Sequence, residues 1–179
     1  MIRWFTILPR PKRGCFYRVI MIEGYYDPDG SPYFAVKIKV PRLNAEGTFN
    51  ILADTGADNT TMHLRDAVQL LSTEKTGGNF NKIWRRLRKR FRFLENLTPI
   101  NGVGGTASYF REPAQIIFTH VDGSRQGFNL DLDIVKPARR RSKLYKYQLE
   151  LPSLLGMDIL AQFRMVMDYP NNRLYLEHR

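Results

Sequence analysis

Asp54 is the side chain that the sequence best equips for chemistry. It closes the run Phe49-Asn50-Ile51-Leu52-Ala53 and is followed by Thr55, Gly56, Ala57, Asp58, Asn59, Thr60 and Thr61. A short apolar run of this kind is a buried strand, and an acid, a hydroxyl residue and a glycine after it make a tight loop. One carboxylate is thereby delivered from the end of a strand. Gly56 has no side chain, so a second backbone or a substrate can come close to the acid. The Thr55 hydroxyl is expected to hold the loop, and the N–H groups around Gly56 to hydrogen-bond the carboxylate. Taken alone, the tripeptide reads first as a strand that ends in an Asp-x-Gly turn.

Two later stretches add to this loop. Asn101-Gly102-Val103-Gly104-Gly105 carries three glycines in four residues and is flanked by strand-forming residues, Ala107 to Arg111 and Gln115-Ile116-Ile117-Phe118. A hairpin tip fits this pattern. A phosphate-cradling loop does not, because the Lys-Ser/Thr of a P-loop and the six-residue dinucleotide pattern are both missing. Leu154-Leu155-Gly156-Met157-Asp158-Ile159-Leu160 is an apolar pair and a glycine opening a short helix. Other chemistries find no pattern: His63, His120 and His178 lack metal-ligand spacing. No nucleophile motif supports Ser-His-Asp or Cys-His catalysis.

Taken together and in this order, the three stretches resemble the aspartic proteases of the retroviral type, the retropepsin-like family, in a prokaryotic-like form with a single Asp-Thr-Gly. Ile51-Leu52-Ala53-Asp54-Thr55-Gly56-Ala57 matches the active-site loop. Gly102, Val103, Gly104 and Gly105 match the flap. Leu154, Leu155, Gly156 and Asp158 match the segment that packs under the active-site loop and supports its strands. The matches span roughly residues 33–62 and 101–177. One departure stands out: Met157 occupies the place of an arginine that commonly pairs with the acid at Asp58, which puts that ionic support of the dimer in doubt.

The resemblance implies a mainly β, closed acid-protease barrel with short helices, in one domain over residues 1–179. It implies an endopeptidase in which two Asp54 carboxylates of a homodimer activate water, with no metal, no cofactor and no covalent intermediate. Asp158 belongs to the third motif and is not the missing partner. The alternative is a catalytically idle module that keeps the fold and binds a peptide or an acidic polymer on a basic surface, since fold does not guarantee activity.

The elements that must position these residues are legible in outline. Phe16 to Ile22 is strand-like, and residues 1–15 form a basic, proline-bearing arm or edge strand. Asp27-Pro28-Asp29-Gly30 is a turn. Phe34, Val36, Ile38 and Val40 alternate with Ala35, Lys37 and Lys39, as in a strand with one buried face. Asn44-Ala45-Glu46-Gly47 is expected to turn the chain back into the Asp54 strand. His63 to Leu71 reads as a short helix. Lys82 to Leu94 reads as an amphipathic one, with seven of the eleven residues from Lys82 to Arg92 being Lys or Arg. Retropepsin-like enzymes are typically shorter, so about 72–98 is expected to be an insertion before the flap. Phe128, Leu130, Leu132 and Ile134 alternate with Asn129, Asp131 and Asp133. Lys136 to Lys146 is expected to be an exposed basic loop, followed by a strand alternation at Tyr147, Leu149 and Leu151. A hairpin from Phe163 to Glu177 closes the chain.

Composition sets the outer limits. The 179 residues suffice for one domain with a real core, and 43% of them are apolar. Lys and Arg outnumber Asp and Glu by 28 to 17, a net charge of +11. That excess is expected to form solvated basic faces rather than a specific nucleic-acid site. Cys15 is the single cysteine, which excludes an intrachain disulfide and fits a reducing compartment. The residues Met1 to Pro9 are too short and interrupted for a signal sequence, and no stretch approaches a membrane span. Composition thus points to an intracellular, cytoplasmic protein, and the resemblance adds the expectation of a peptide-cleaving homodimer.

Overall fold

The computed structural model describes residues 21–71, 97–102, 105–139 and 141–178. The N-terminal arm, most of the Phe16–Ile22 strand, the Gly77-Gly78 break, the basic helix expected over Lys82–Leu94, and Val103 and Gly104 lie outside them.

The first described strand, β1 (Met21–Tyr26), turns at Asp27-Pro28-Asp29-Gly30 into β2 (Pro32–Val40). The Asp27 carboxylate accepts hydrogen bonds from the Asp29 and Ser31 amides at 3.0 and 2.8 Å, and Gly30 takes φ +83°. This is the turn that the sequence predicts. Along β2 the predicted alternation holds, and Phe34, Val36, Ile38 and Val40 are buried.

The connection to β3 (Ala45–Ala53) differs from expectation. The chain reverses through a 3-10 turn at Pro41–Leu43, one turn earlier than Asn44–Gly47, and Ala45 already pairs with Val40. Proline starts a tight helical turn at no hydrogen-bonding cost, and Asn44 (φ 46°) is the residue type that tolerates the left-handed conformation needed to leave it.

After the Asp54 loop come β4 (Thr61–Met62) and α1 (Leu64–Leu71), the latter as expected. A glycine-rich hairpin follows: β5 (Leu97–Gly102) pairs antiparallel with β6 (Gly105–Thr119) up to Gly102 opposite Gly105. The long strand β6 then pairs with β7 (Arg125–Val135) and with β2. The turn between β6 and β7 uses Gly123 at φ +81°.

The stretch after β7 corrects the sequence reading in two places. Lys143–Glu150 is a helix, α2, so the basic segment is not loop throughout, and Tyr147 and Leu149 do not belong to a strand. Ser142 caps the helix by accepting a hydrogen bond from the Tyr145 amide at 3.1 Å. The buried positions are Tyr145 and Gln148, three apart, which is the helical period; Tyr147 is 55% exposed. Gln148 also ties down the segment before the helix, accepting from the Ala138 amide at 2.9 Å and donating to the Lys136 carbonyl at 3.2 Å.

β8 (Leu154–Leu155), α3 (Met157–Leu160), β9 (Phe163–Asp168) and β10 (Arg173–His178) complete the order. β9 and β10 form the expected closing hairpin, and β10 also pairs with β1.

Strand β2 pairs with β3 on one side and β6 on the other, and β3, β8, β4, β7 and β6 complete the ring. Over the described residues the protein is therefore mainly β, with a closed six-stranded barrel and few short helices. Phe34, Ile38, Phe49, Ile51, Ile116, Phe118, Leu132 and Ile134 belong to one apolar core with Leu155 and Phe163. Two acids sit inside this apolar framework, each beside an arginine. Glu112, 1% exposed, lies on the buried side of β6 between Phe110 and Ala114 and accepts from Arg42 Nε at 2.8 Å. Asp133, expected on the polar side of β7, is fully buried and takes both arms of Arg111 at 2.9 Å. A bidentate arginine is the geometry that makes a buried carboxylate tolerable.

Candidate functional site

Asp54 follows the last residue of β3, where the strand runs into a side-by-side arrangement with β8. Leu52 pairs with Leu154 and Ala53 with Leu155 in a parallel ladder. The Asp54 amide donates to the Leu155 carbonyl at 3.1 Å, and the Leu52 amide to Ser153 at 2.9 Å. β8 also meets β4 through Thr61 opposite Leu154. The apolar pair Leu154-Leu155 is thus wedged between the two strands that enter and leave the Asp54 loop.

The loop is closed by its own backbone. The Ala57 amide donates to the Asp54 carbonyl at 3.2 Å, and the Gly56 amide donates to Asp54 Oδ1 at 2.8 Å. The second of these is the expected backbone bond to the carboxylate. A Cβ on Gly56 would stand 3.2 Å from the same oxygen, so this glycine leaves the acid accessible. Thr55 departs from expectation: it is exposed, and among the described residues its hydroxyl meets no partner. Backbone amides do the holding that its side chain was expected to do.

Helix α3 clasps the far side of the loop. The Met157 amide donates to the Ala57 carbonyl at 2.8 Å and the Asp158 amide to the Asp58 carbonyl at 3.0 Å. The Asp158 carboxylate accepts from the Thr60 amide at 3.0 Å, the Thr60 hydroxyl at 2.7 Å and the Ile159 amide at 2.9 Å. The Thr60 hydroxyl in turn accepts from the Gly156 amide at 3.2 Å. Gly156 is obligatory for this closeness, since a Cβ there would lie 2.4 Å from the carbonyl carbon of Asn59.

The structure therefore brings Asp54, Thr55, Gly56, Ala57 and Asp58 together with Leu154, Leu155, Gly156 and Asp158. Of the glycine-rich hairpin it describes Gly102 and Gly105 as the last facing pair of β5 and β6. Asp58 is exposed and among the described residues its carboxylate meets no cation. Met157, bonded through its amide to the Ala57 carbonyl, is 37% exposed.

No protein-family model matches the chain, and no curated protein matches it.

Behind the loop lies a polar cluster that sequence reasoning missed. Fully buried Ser153 donates to Asp66 Oδ2 at 2.6 Å and accepts from the His63 amide at 3.0 Å, joining α1 to the start of β8. Asp66 and Ser153 stand far apart in sequence, and only the packing of α1 under the loop unites them. Burial depresses the pKa of the adjacent His63 imidazole, with Asp66 pulling the other way. Among the described residues its Nδ1 has no hydrogen-bond partner, and the ring meets Tyr109 edge-on at 6.4 Å.

The other histidines are less scattered than their positions in the chain imply. His120 and His178 lie 6.3 Å apart, ring to ring, and His178 also stacks on Phe128 and contacts Phe163. Among the described residues no group of three metal-ligating side chains forms. Nor is any described helix long and apolar enough to cross a membrane.

Proposed function

We propose that this chain is a retropepsin-like aspartic endopeptidase that works as a homodimer, each copy contributing Asp54. The observation that carries the reading is the clasped loop. One carboxylate stands at the end of a barrel strand with a backbone N–H on its Oδ1, and a Leu-Leu-Gly-x-Asp segment fixes the loop from beneath.

One carboxylate cannot be both acid and base in the same step, and Asp158, committed to Thr60 and Ile159, is not free to help. A two-fold axis beside Asp54 solves this by presenting the same group twice. Two carboxylates about 3 Å apart cannot both ionise, so the pair shares one proton. The ionised member takes a proton from water, which attacks the scissile carbonyl. The protonated member donates to the carbonyl oxygen, and the roles reverse as the amine leaves. Which copy holds the proton is a property of the pair. The glycine-rich hairpin, carried on strand β6 of the barrel wall, is the element suited to cover a peptide laid across the two loops.

That Asp58 meets no cation among the described residues favours the competing reading, a module that keeps the fold without cutting. Incubation with a mixed peptide library, with and without a pepstatin-type transition-state mimic, separates the two. Cleavage abolished by the mimic supports the protease. Peptide binding without any cleavage by the dimer supports the idle module.

A further inference from the structure

Helix α2 turns a basic and apolar face outward. Tyr145 and Gln148 are buried, and Tyr145 packs with Leu64 and Val135. At about 100° per residue, the side opposite them carries Leu144 and Tyr147, with Lys143 and Lys146 alongside. Leu144 and Tyr147 are each 55% exposed. From residue 134 to 157 the chain has six Lys or Arg and one acid, Glu150. Lys136, Arg139, Arg141, Lys143 and Lys146 are exposed, and among the described residues none of their side chains meets an acid. The basic segment is pinned at its start. Gln148 holds residues 136 and 138 to the helix, and the Lys136 amide donates to the Ser108 carbonyl at 2.8 Å. Ser108 lies on β6 opposite Pro99 of β5, so this surface begins at the root of the glycine-rich hairpin.

We infer that this face of α2 holds an acidic stretch of the polypeptide substrate, one that carries an apolar side chain, apart from the segment cut at Asp54. The inference rests on the endopeptidase reading above and adds to it the chemistry of the substrate. Exposed cations with no acid of their own fit carboxylates, and Leu144 and Tyr147 offer an apolar contact beside them. A polypeptide already held at Asp54 makes this second contact within one complex, so a small patch suffices. A nucleic acid would find one ring to stack on, Tyr147. A bilayer would find an apolar face only two side chains wide. Both match this face less well than an acidic peptide does.

The test is fluorescence anisotropy of a labelled peptide of Glu and Leu residues, against the same peptide with Gln for Glu. Binding is measured on the full chain carrying Asp54→Asn, so that the probe is not cut, at about 0.05 and 0.5 M salt. The substituted side chains are exposed, so the variants fold, and thermal melting verifies that. We expect the Glu peptide to bind about tenfold or more tightly than the Gln peptide at low salt, and less so at high salt. Lys143→Glu with Lys146→Glu should abolish that preference, and Leu144→Ser with Tyr147→Ser should weaken binding about fivefold. Arg125→Glu with Arg173→Glu makes the same change of net charge on other strands, and should leave the constant within about twofold. Equal binding of the two peptides, or an equal loss in the Arg125 and Arg173 pair, overturns the inference. So does tighter binding of an oligonucleotide of equal charge, or of phosphatidylserine vesicles, that is lost in the same α2 variants. With Asp54 restored, an acidic extension on a cleaved peptide should lower KM at unchanged kcat, and the Lys143→Glu, Lys146→Glu pair should cancel the gain. A KM indifferent to the extension overturns the inference and leaves the endopeptidase reading standing. Acid-selective binding at α2 by a parent that cuts no peptide leaves the acidic ligand in place and overturns the endopeptidase reading.

Discussion

Thr60 and Asp158 hold each other through two hydrogen bonds, 3.0 Å from the Thr60 amide and 2.7 Å from its hydroxyl, although 98 residues separate them. This pair fixes the exit of the Asp54 loop to the opening of α3. Asp158→Ala removes the acceptor of both bonds and of the Ile159 amide, so we expect a loss of about 2 kcal/mol. Asp158→Asn keeps one acceptor oxygen and should lose less. Urea unfolding of the two variants measures the difference; equal stability of parent and Ala variant would show that the pair does not anchor the loop.

Gly156 sits where backbone meets backbone. An alanine methyl there would come within 2.8 Å of the Asn59 carbonyl carbon and oxygen and the Thr60 amide nitrogen. None of these can rotate away, so Gly156→Ala should cost about 1–3 kcal/mol. Any residual peptide cleavage should fall with it, because the displaced segment is the one that clasps the loop. Melting temperature and cleavage rate, measured on the same preparation, check both parts.

The pH dependence of stability has an identifiable contributor in His63. Burial lowers its pKa in the folded protein. The unfolded chain therefore takes up the proton first as pH falls below about 6.5, and folding loses stability from there down through the depressed folded value. Above that range the imidazole is neutral in both states and contributes no pH dependence. His63→Phe retains a ring against Tyr109 and removes the titration. We expect its unfolding free energy to fall less than the parent's between about pH 7.5 and pH 5. An unchanged slope would show that other groups set the acid sensitivity.

How far the sequence could be read depended on whether a signal was local. The Asp27–Gly30 turn, the β2 alternation and the α1 helix were legible because each is written in adjacent residues. So was the Asp54 loop, as an acid at a strand end with a glycine after it. The α2 helix was misread because Tyr147, Leu149 and Leu151 alternate in type, whereas burial follows Tyr145 and Gln148 and the Ser142 cap. Asp133 reads as a polar-face acid in the alternation, and nothing local marks Glu112 as buried, because their arginines, Arg111 and Arg42, come from another strand and a distant turn. Ser153 and Asp66 meet only through tertiary packing. The clasp of Thr60 by Asp158 was equally invisible as a contact, although the segment that makes it could be picked out by its pattern.

Ala57 offers a directional test of the site's electrostatics. A hydroxyl at this position can donate to the carboxylate and favour its ionised form. Alanine cannot, so the activity should extend toward near-neutral pH, and Ala57→Ser should move the profile to lower pH with the dimer preserved. Cleavage rates of both forms across pH, with dimerisation checked at each point, decide it. An unchanged or alkaline-shifted profile would show that residue 57 does not set the working range.

Asp54→Asn goes to the centre of the proposal. The change is nearly isosteric and keeps an acceptor for the Gly56 amide at the end of β3, so folding and dimerisation should survive it. Each dimer nevertheless loses both ionisable groups at once. The direct measurement is the cleavage rate of a susceptible peptide by purified parent and Asn variant, at equal dimer concentration. We expect the variant to be inactive, with its melting temperature close to the parent's. Cleavage by the folded Asn variant at the parent's rate would contradict a mechanism built on paired Asp54 carboxylates.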